Sequence, residues 1–220
     1  MPRPTAAAVS LRRDPQAAIL EAALALFAER GYHGTSIPAV LEQAGVGASS
    51  LYRLFDGKEA LVNAVFRDAK GRLAQALTAG LDPNAEPRAL FDAFWARLAD
   101  FSAREPLAFR FLELQDHTPY LDGASRQQEL SVLAPIALAC MDLQRRGVFR
   151  AEPSPDVIIA TIWGAFVGLV KASRLGYLPL DAARLDAARD ACWRAFAAEK
   201  TSVRKKPAHE RKARWKRRST

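Results

Sequence analysis

Apolar positions recur along almost the whole chain at helical spacing. Ile19, Ala22, Ala23, Leu26 and Phe27 fall on one helix face, and Gly31 stands just past its end as a stop. A second face follows in Ile37, Val40, Leu41 and Ala44. Thr35 or Ser36 offers its N-cap, Pro38 sits in a first turn where its missing donor is tolerated, and Gly45 closes it. A third face starts within three residues, with Leu51 and Phe55 one turn apart, and Asp56 is placed to cap a fourth helix over 58–79. Further helical segments are predicted over 87–104, 106–116, 125–146, 156–175 and 181–199, with Pro87, Pro106 and Pro155 in first turns and Gly147 and Gly176 as stops. Strand alternation and internal repeats are not seen. The expected fold class is all-α.

The junction of the second and third helices, AGVGASSLYRLF, joins two short helices by a tight glycine-containing turn. That pattern is a helix-turn-helix, whose second helix enters the DNA major groove with its N-terminal residues against base edges. Small side chains at Ala48, Ser49 and Ser50 let such a helix approach closely, bringing amides and hydroxyls to phosphates, while Leu51 and Phe55 anchor it from behind.

The span 19–66, ILEAALALFAERGYHGTSIPAVLEQAGVGASSLYRLFDGKEALVNAVF, resembles the DNA-binding domain of the TetR family of bacterial transcriptional repressors. The likeness is carried by Phe-x-x-x-Gly-Tyr, Gly-Thr-Ser-Ile, Ala-Gly-Val, Leu-Tyr-x-x-Phe and Lys-Glu-x-Leu, in that order. The resemblance implies that Thr35 and Ser36 cap the second helix against the DNA backbone. It also implies that Ala48, Ser49, Ser50 and Arg53 lie in or beside the groove, and that Tyr52 and Lys58 touch phosphates. Gly47 stands where the family often has a serine N-cap, so no side-chain cap is expected there. Arg53 can donate two bonds to guanine or meet a phosphate. Between Arg12 and Lys58 five basic residues balance five acidic ones, so binding depends on a few placed contacts, aided by Arg3, Arg12 and Arg13 or by the C-terminal tail.

The resemblance divides the chain into an arm (1–13), a three-helix DNA-binding domain (14–60), a helical effector-binding and dimerisation domain (61–199) and a basic tail (200–220). In VIIATIWGAFVGLVKASRLG the helix is apolar on more than one face and must be covered on several sides. Gly164 and Gly168 leave a small-residue strip for close packing, and with Leu185, Ala188, Cys192 and Phe196 they are the expected homodimer interface, two helices per subunit as in the family. Phe91, Phe94, Trp95 and Phe101, then Phe109, Phe111 and Leu112, can form a core or line an apolar pocket. The candidate effector contacts are Trp95, Phe111, Gln115, His117, Trp163 and Phe166, which favour a hydrophobic or aromatic small molecule.

Charge sharpens the picture. Of the 32 basic and 24 acidic residues, ten and one fall in 200–220, so the tail carries +9 and the rest of the chain −1. Such a tail cannot build a core; it is either a solvated solubility tail or a contact for a polyanion. Cys140 and Cys192 give neither a disulfide framework nor metal-ligand spacing, and His33, His117 and His209 lie in separate regions without a phosphate loop, nucleophile elbow or metal motif. An enzyme, a metal and a cofactor are not expected. The N-terminus does not read as a signal peptide, and the longest uncharged run, 157–170, is 14 residues, too short for a membrane span. The expectation is a soluble, cytoplasmic, ligand-responsive repressor bound as a homodimer to a near-palindromic operator in double-stranded DNA. The alternative is a ligand-independent DNA-binding protein that relies on the helix-turn-helix and the basic tail.

Overall fold

A computed structural model describes residues 14–82 and 84–198. The arm with Arg3, Arg12 and Arg13 and the basic tail 200–220 lie outside the described residues. Among the described residues there are nine helices: α1 (Pro15–Gly34), α2 (Ile37–Ala44), α3 (Ala48–Tyr52), α4 (Lys58–Thr78), α5 (Pro87–Arg104), α6 (Pro106–Glu113), α7 (Gly123–Arg145), α8 (Pro155–Arg174) and α9 (Ala182–Phe196). The all-α expectation holds, with one isolated bridge between Phe149 and Ala197 as the extended pairing among them.

Local chemistry explains most boundaries. Asp14 accepts from the Gln16 amide at the start of α1, and Pro15 occupies a first-turn position. Helical geometry in α1 breaks at Gly31, whose φ of 71° lies in the left-handed region that only glycine enters freely. Gly45, at φ 67°, closes α2 in the same way.

Four boundaries differ from the pattern-based expectation, one of them the end of α9 at Phe196 rather than 199, where Ala197 turns into the bridge with Phe149. Gly57, at φ 91°, is the N-cap of α4 and no side chain caps it, so Asp56 does not cap this helix. The sixth helix ends at Glu113, and Asp116 instead accepts from the Thr118 amide at 2.9 Å within the α6–α7 loop. α7 starts at Gly123 because Asp122 accepts from the Ser125 amide at 2.7 Å.

α4 is the central element, packed against α1 on one side and α5, α6 and α7 on the other. Its Leu61, Val65, Phe66, Ala69, Leu73 and Leu77 recur every three or four residues and are buried. Each such large side chain contributes about 1.5–3 kcal/mol by leaving water. α8 is long and apolar enough by length and composition to cross a membrane, and one face of it, Ile158, Ile162, Phe166 and Val170, is buried inside the protein. Its opposite side exposes Ala160, Thr161, Gly164 and Gly168.

Candidate nucleic-acid interface

The recognition unit is built on two buried anchors. Leu51 is fully buried and Phe55 nearly so, at 0% and 8% exposure, and they hold α3 against α1 and α2. That leaves Ala48, Ser49, Tyr52 and Arg53 exposed, Tyr52 at 59%. Ser50 is half-buried. Gly47 begins α3 without a side-chain cap, as the sequence suggested. The surface has little bulk at its N-terminal end and hydrogen-bonding side chains over its next turn, which suits close approach to a groove.

Ser36 caps α2 by accepting from the Ala39 amide at 3.3 Å and is exposed. Thr35 departs from the expected cap and backbone contact. It is 2% exposed, and its hydroxyl donates to the Gly31 carbonyl at 2.9 Å, closing the end of α1. Lys58, in the first turn of α4, sets its ammonium 4.3 Å from the centre of the Tyr32 ring, and partial burial lowers its pKa.

A second set of residues fastens this unit to the rest of the protein; the sequence reading singled out only Gln115 among its polar members, and as an effector contact. The end of α1 leaves carbonyls without helical partners. Gln115 donates to the Phe27 and Ala28 carbonyls at 2.6 and 3.2 Å, and Arg110 to that of Glu29 at 3.5 Å. Asn63, 1% exposed, donates to the Glu59 and Tyr120 carbonyls at 2.9 and 2.7 Å and accepts from the Asp122 amide at 2.9 Å. The Ser125 amide bond, and then Arg67 at 3.0 Å, hold the Asp122 carboxyl below the usual range. Tyr32 stacks on Tyr120 with ring centres 4.4 Å apart. The helical period pointed to none of these, because they act through loop carbonyls and amides that depend on the tertiary fold.

The expected effector residues fall into two groups. Trp95 packs edge to face on Phe166, ring centres 5.4 Å apart, and Trp163 Nε1 donates to Glu113 Oε2 at 2.6 Å. Phe111 is beside His117, ring centres 4.6 Å apart, together with Phe66 and Tyr120. Trp95, Phe111 and Phe166 are core residues at 2%, 0% and 0% exposure, and Gln115 is spent on α1. His117 Nε2 lies 2.6 Å from the Phe111 carbonyl and Nδ1 lies 2.7 Å from the Tyr120 hydroxyl. A carbonyl only accepts, so Nε2 carries the proton and Nδ1 accepts from Tyr120. Burial lowers the pKa of His117, with the positive charge of Lys70 acting in the same direction, and burial pushes the Tyr120 hydroxyl up to about 12. Of two open concavities, one of about 1000 Å³ lies between the N-terminal half of α1, the end of α2 and the α5–α6 junction, and one of about 420 Å³ lies beside Tyr32, Gln115 and Tyr120, so Gln115 alone of the expected effector residues lines either.

The expected dimer strip is also divided. Gly164 and Gly168 are exposed, and a Cβ added to either would meet nothing within 4 Å. On α9, Leu185 and Ala188 pack against the protomer's own core, and Cys192 and Phe196 are buried in it, the latter beside Phe149. The outward side of α9 instead carries Ala183, Ala187, Ala191 and Ala195. The apolar stripe of α9 was the visible signal, and the chain itself consumes it.

Comparison with known proteins agrees with this architecture. Residues 19–65 match the family of bacterial regulatory proteins called tetR, and residues 66–198 match the tetracycline repressor-like C-terminal domain. The HTH-type transcriptional repressor SCO4008 of Streptomyces coelicolor is 29% identical over 175 residues, 74% of this chain and 86% of that protein. The HTH-type transcriptional repressor KstR2 of Rhodococcus jostii is 37% identical over 76 residues, 33% of this chain and only 37% of that protein. A solved structure from Shewanella sp. PV-4, assigned to the tetR family, superimposes with a TM-score of 0.73 at 26% identity, over 84% of this chain and all of that one. With the exposed α3 surface set on a buried Leu51–Phe55 anchor and both halves matched, the chain belongs to the TetR family and is a DNA-binding transcriptional regulator, not an enzyme.

Proposed function

We propose that the protein represses transcription from the cytoplasm by binding, as a homodimer, a near-palindromic operator, and that a small hydrophobic or aromatic effector releases it. The observation that carries this reading is the exposed face of Ala48, Ser49, Tyr52 and Arg53 above the buried Leu51 and Phe55. Ser36, Ser50, Tyr52 and Lys58 then position the protein on phosphates, while Arg53 contributes to sequence preference. Thr35 supports the site from within.

The dimer is formed through Gly164 and Gly168 on α8 and the outward alanines of α9, where exposed small side chains let helices of two subunits approach closely. The effector domain includes Trp95, Trp163 and Phe166, and the coupling runs through Phe111, Gln115 and His117. A ligand that favours one spacing of the two recognition units must weaken DNA binding by the factor by which DNA weakens its own.

Fluorescence anisotropy of the full chain on its own upstream intergenic DNA and on scrambled DNA, across a salt series, tests the reading. Specific binding that is lost in Tyr52→Ala supports it; equal binding to both DNAs, insensitive to Tyr52, overturns it. Deleting 200–220 separates the ligand-independent alternative. An accessory tail lowers the salt dependence and leaves sequence preference, whereas a tail that dominates takes most of the affinity with it.

A further inference from the structure

The DNA surface leaves unused the larger concavity, of about 1000 Å³, which both halves of the chain line. Leu20 of α1, Val46 of the α2–α3 turn and Leu107 of α6 give it partly exposed apolar groups, Leu107 at 39%. Its arginines are spent. Arg72 pairs with Asp68 at 3.2 Å and with Glu105 at 2.6 Å, and Arg104 pairs with Asp100 at 2.7 Å. Two further lining carboxylates, Asp14 and Glu21, are exposed and have no ion pair among the described residues.

A surface of wet apolar groups with two spare carboxylates calls for an occupant that is apolar and cationic at once. The chain carries one at its edge. Residues 1–13, outside the described residues, join at Asp14, and their closing stretch VSLRR sets Val9 and Leu11 beside Arg12 and Arg13. At about 3.3 Å per residue, Leu11 lies within roughly 10 Å of Asp14 and Arg3 within roughly 36 Å. Attachment at the rim makes such a contact intramolecular, at an effective concentration of about millimolar. The basic tail is the poorer candidate. The described chain ends at Ala198, whose amide donates to the Val148 carbonyl at 2.8 Å, and among the described residues none of α7, α8 or α9 lines the concavity.

We propose that residues 1–13 seat in this concavity while the protein is off DNA, with Arg12 and Arg13 facing Asp14 and Glu21, and with Val9 and Leu11 packing among Leu20, Val46 and Leu107. Arginines held there are withheld from phosphates, so the seat competes with DNA for the charges of the arm. The seat joins α1 and the α2–α3 turn to the α5–α6 junction, and a change in how the two halves sit alters its hold on the arm. Seating of the arm and binding of DNA then oppose each other by the same factor.

Alkylation of Leu107→Cys by iodoacetamide reads the occupancy, since the native Cys140 and Cys192 are buried. Deleting residues 2–13 from the otherwise full chain is expected to speed alkylation about fivefold, the factor for a seat filled roughly four-fifths of the time. Glu21→Gln should speed it only while the arm is present. The same variant should steepen the salt dependence of DNA binding, measured by anisotropy, by about 0.9 for each arginine released. Trypsin cleavage after Arg12 and Arg13, faster in Glu21→Gln than in wild type, gives the same reading if Leu107→Cys fails to fold. Alkylation indifferent to the arm overturns the assignment. So does a rate that rises on deleting 200–220 or on dilution, which puts the tail or a second copy in the seat. An emptied seat with an unchanged salt slope overturns the competition with DNA.

Discussion

Tyr32 and Tyr120 stack with ring centres 4.4 Å apart and planes 22° apart, one at the break of α1 and the other in the α6–α7 loop. The same Tyr32 ring carries the Lys58 ammonium on its face, and the same Tyr120 hydroxyl donates to His117. A prospective phosphate contact is therefore joined to a buried histidine by two aromatic rings. Tyr120→Phe keeps the stack but strips His117 of a donor, and is expected to cost about 1 kcal/mol. Tyr120→Leu also loses the ring pair, about 0.5–1.5 kcal/mol more. Urea midpoints rank the three proteins, and operator affinity is expected to fall further in Tyr120→Leu than in Tyr120→Phe.

Gln115 acts as a detached cap for α1. Gln115→Ala leaves the Phe27 and Ala28 carbonyls with one donor fewer, and a loss of about 1–3 kcal/mol is expected. Hydrogen exchange of the amides around Gly31 should quicken before that of the α8 core. Uniform acceleration across the protein would contradict a local capping role.

The burial of His117 makes stability depend on pH. Its folded pKa lies below the ordinary 6.5, with Lys70 opposing protonation and Glu113 and Glu129 favouring it. As pH falls below about 6.5 the unfolded chain takes up a proton that the native state does not. The contribution is thus complete above that pH, shrinks on the way down to the folded value and is flat beneath it. Denaturation midpoints at about pH 7.5 and 5.5 should differ in the wild type and converge in His117→Phe. The lowered carboxyls of Asp122 and Asp190 lose their contribution only under more acid conditions, below the ordinary aspartate value of 3.8.

Gly164→Leu tests the subunit contact. Nothing lies within 4 Å of a Cβ at this position, so the protomer accommodates the side chain, and helicity and urea midpoint at low concentration should match wild type. A partner helix packed against the strip would meet a bulky group. Sedimentation is expected to show a shift toward monomer and the DNA titration a loss of affinity; an unchanged dimer would place the contact elsewhere.

The sequence disclosed what repeats. Helical period, proline in first turns and glycine stops located the nine helices of the described residues, and the small residues from Ala48 to Ser50 marked the surface of α3. Reciprocal contacts were less legible. Thr35 and Ser36 are both plausible caps by type, and only the fold turns one inward and the other out. The stripe of Leu185, Ala188, Cys192 and Phe196 advertises a covered face without saying which neighbour covers it. Lys70 and Glu113 read as ordinary helix-surface charges until α6 and α4 are brought together.

α4 runs without interruption from Lys58, near the α3 surface, to Leu77 in the C-terminal domain, and the two family matches meet at residues 65 and 66, inside it. A helix of 21 residues is about 31 Å long. Because the two halves share this unbroken rod, a tilt of about 6° at its far end carries Lys58 through about 3 Å, a tenth of the roughly 34 Å between successive half-sites. For the homodimer proposed above this is mechanical gain: a displacement too small to rearrange the core is expected to put both recognition helices out of register with the groove.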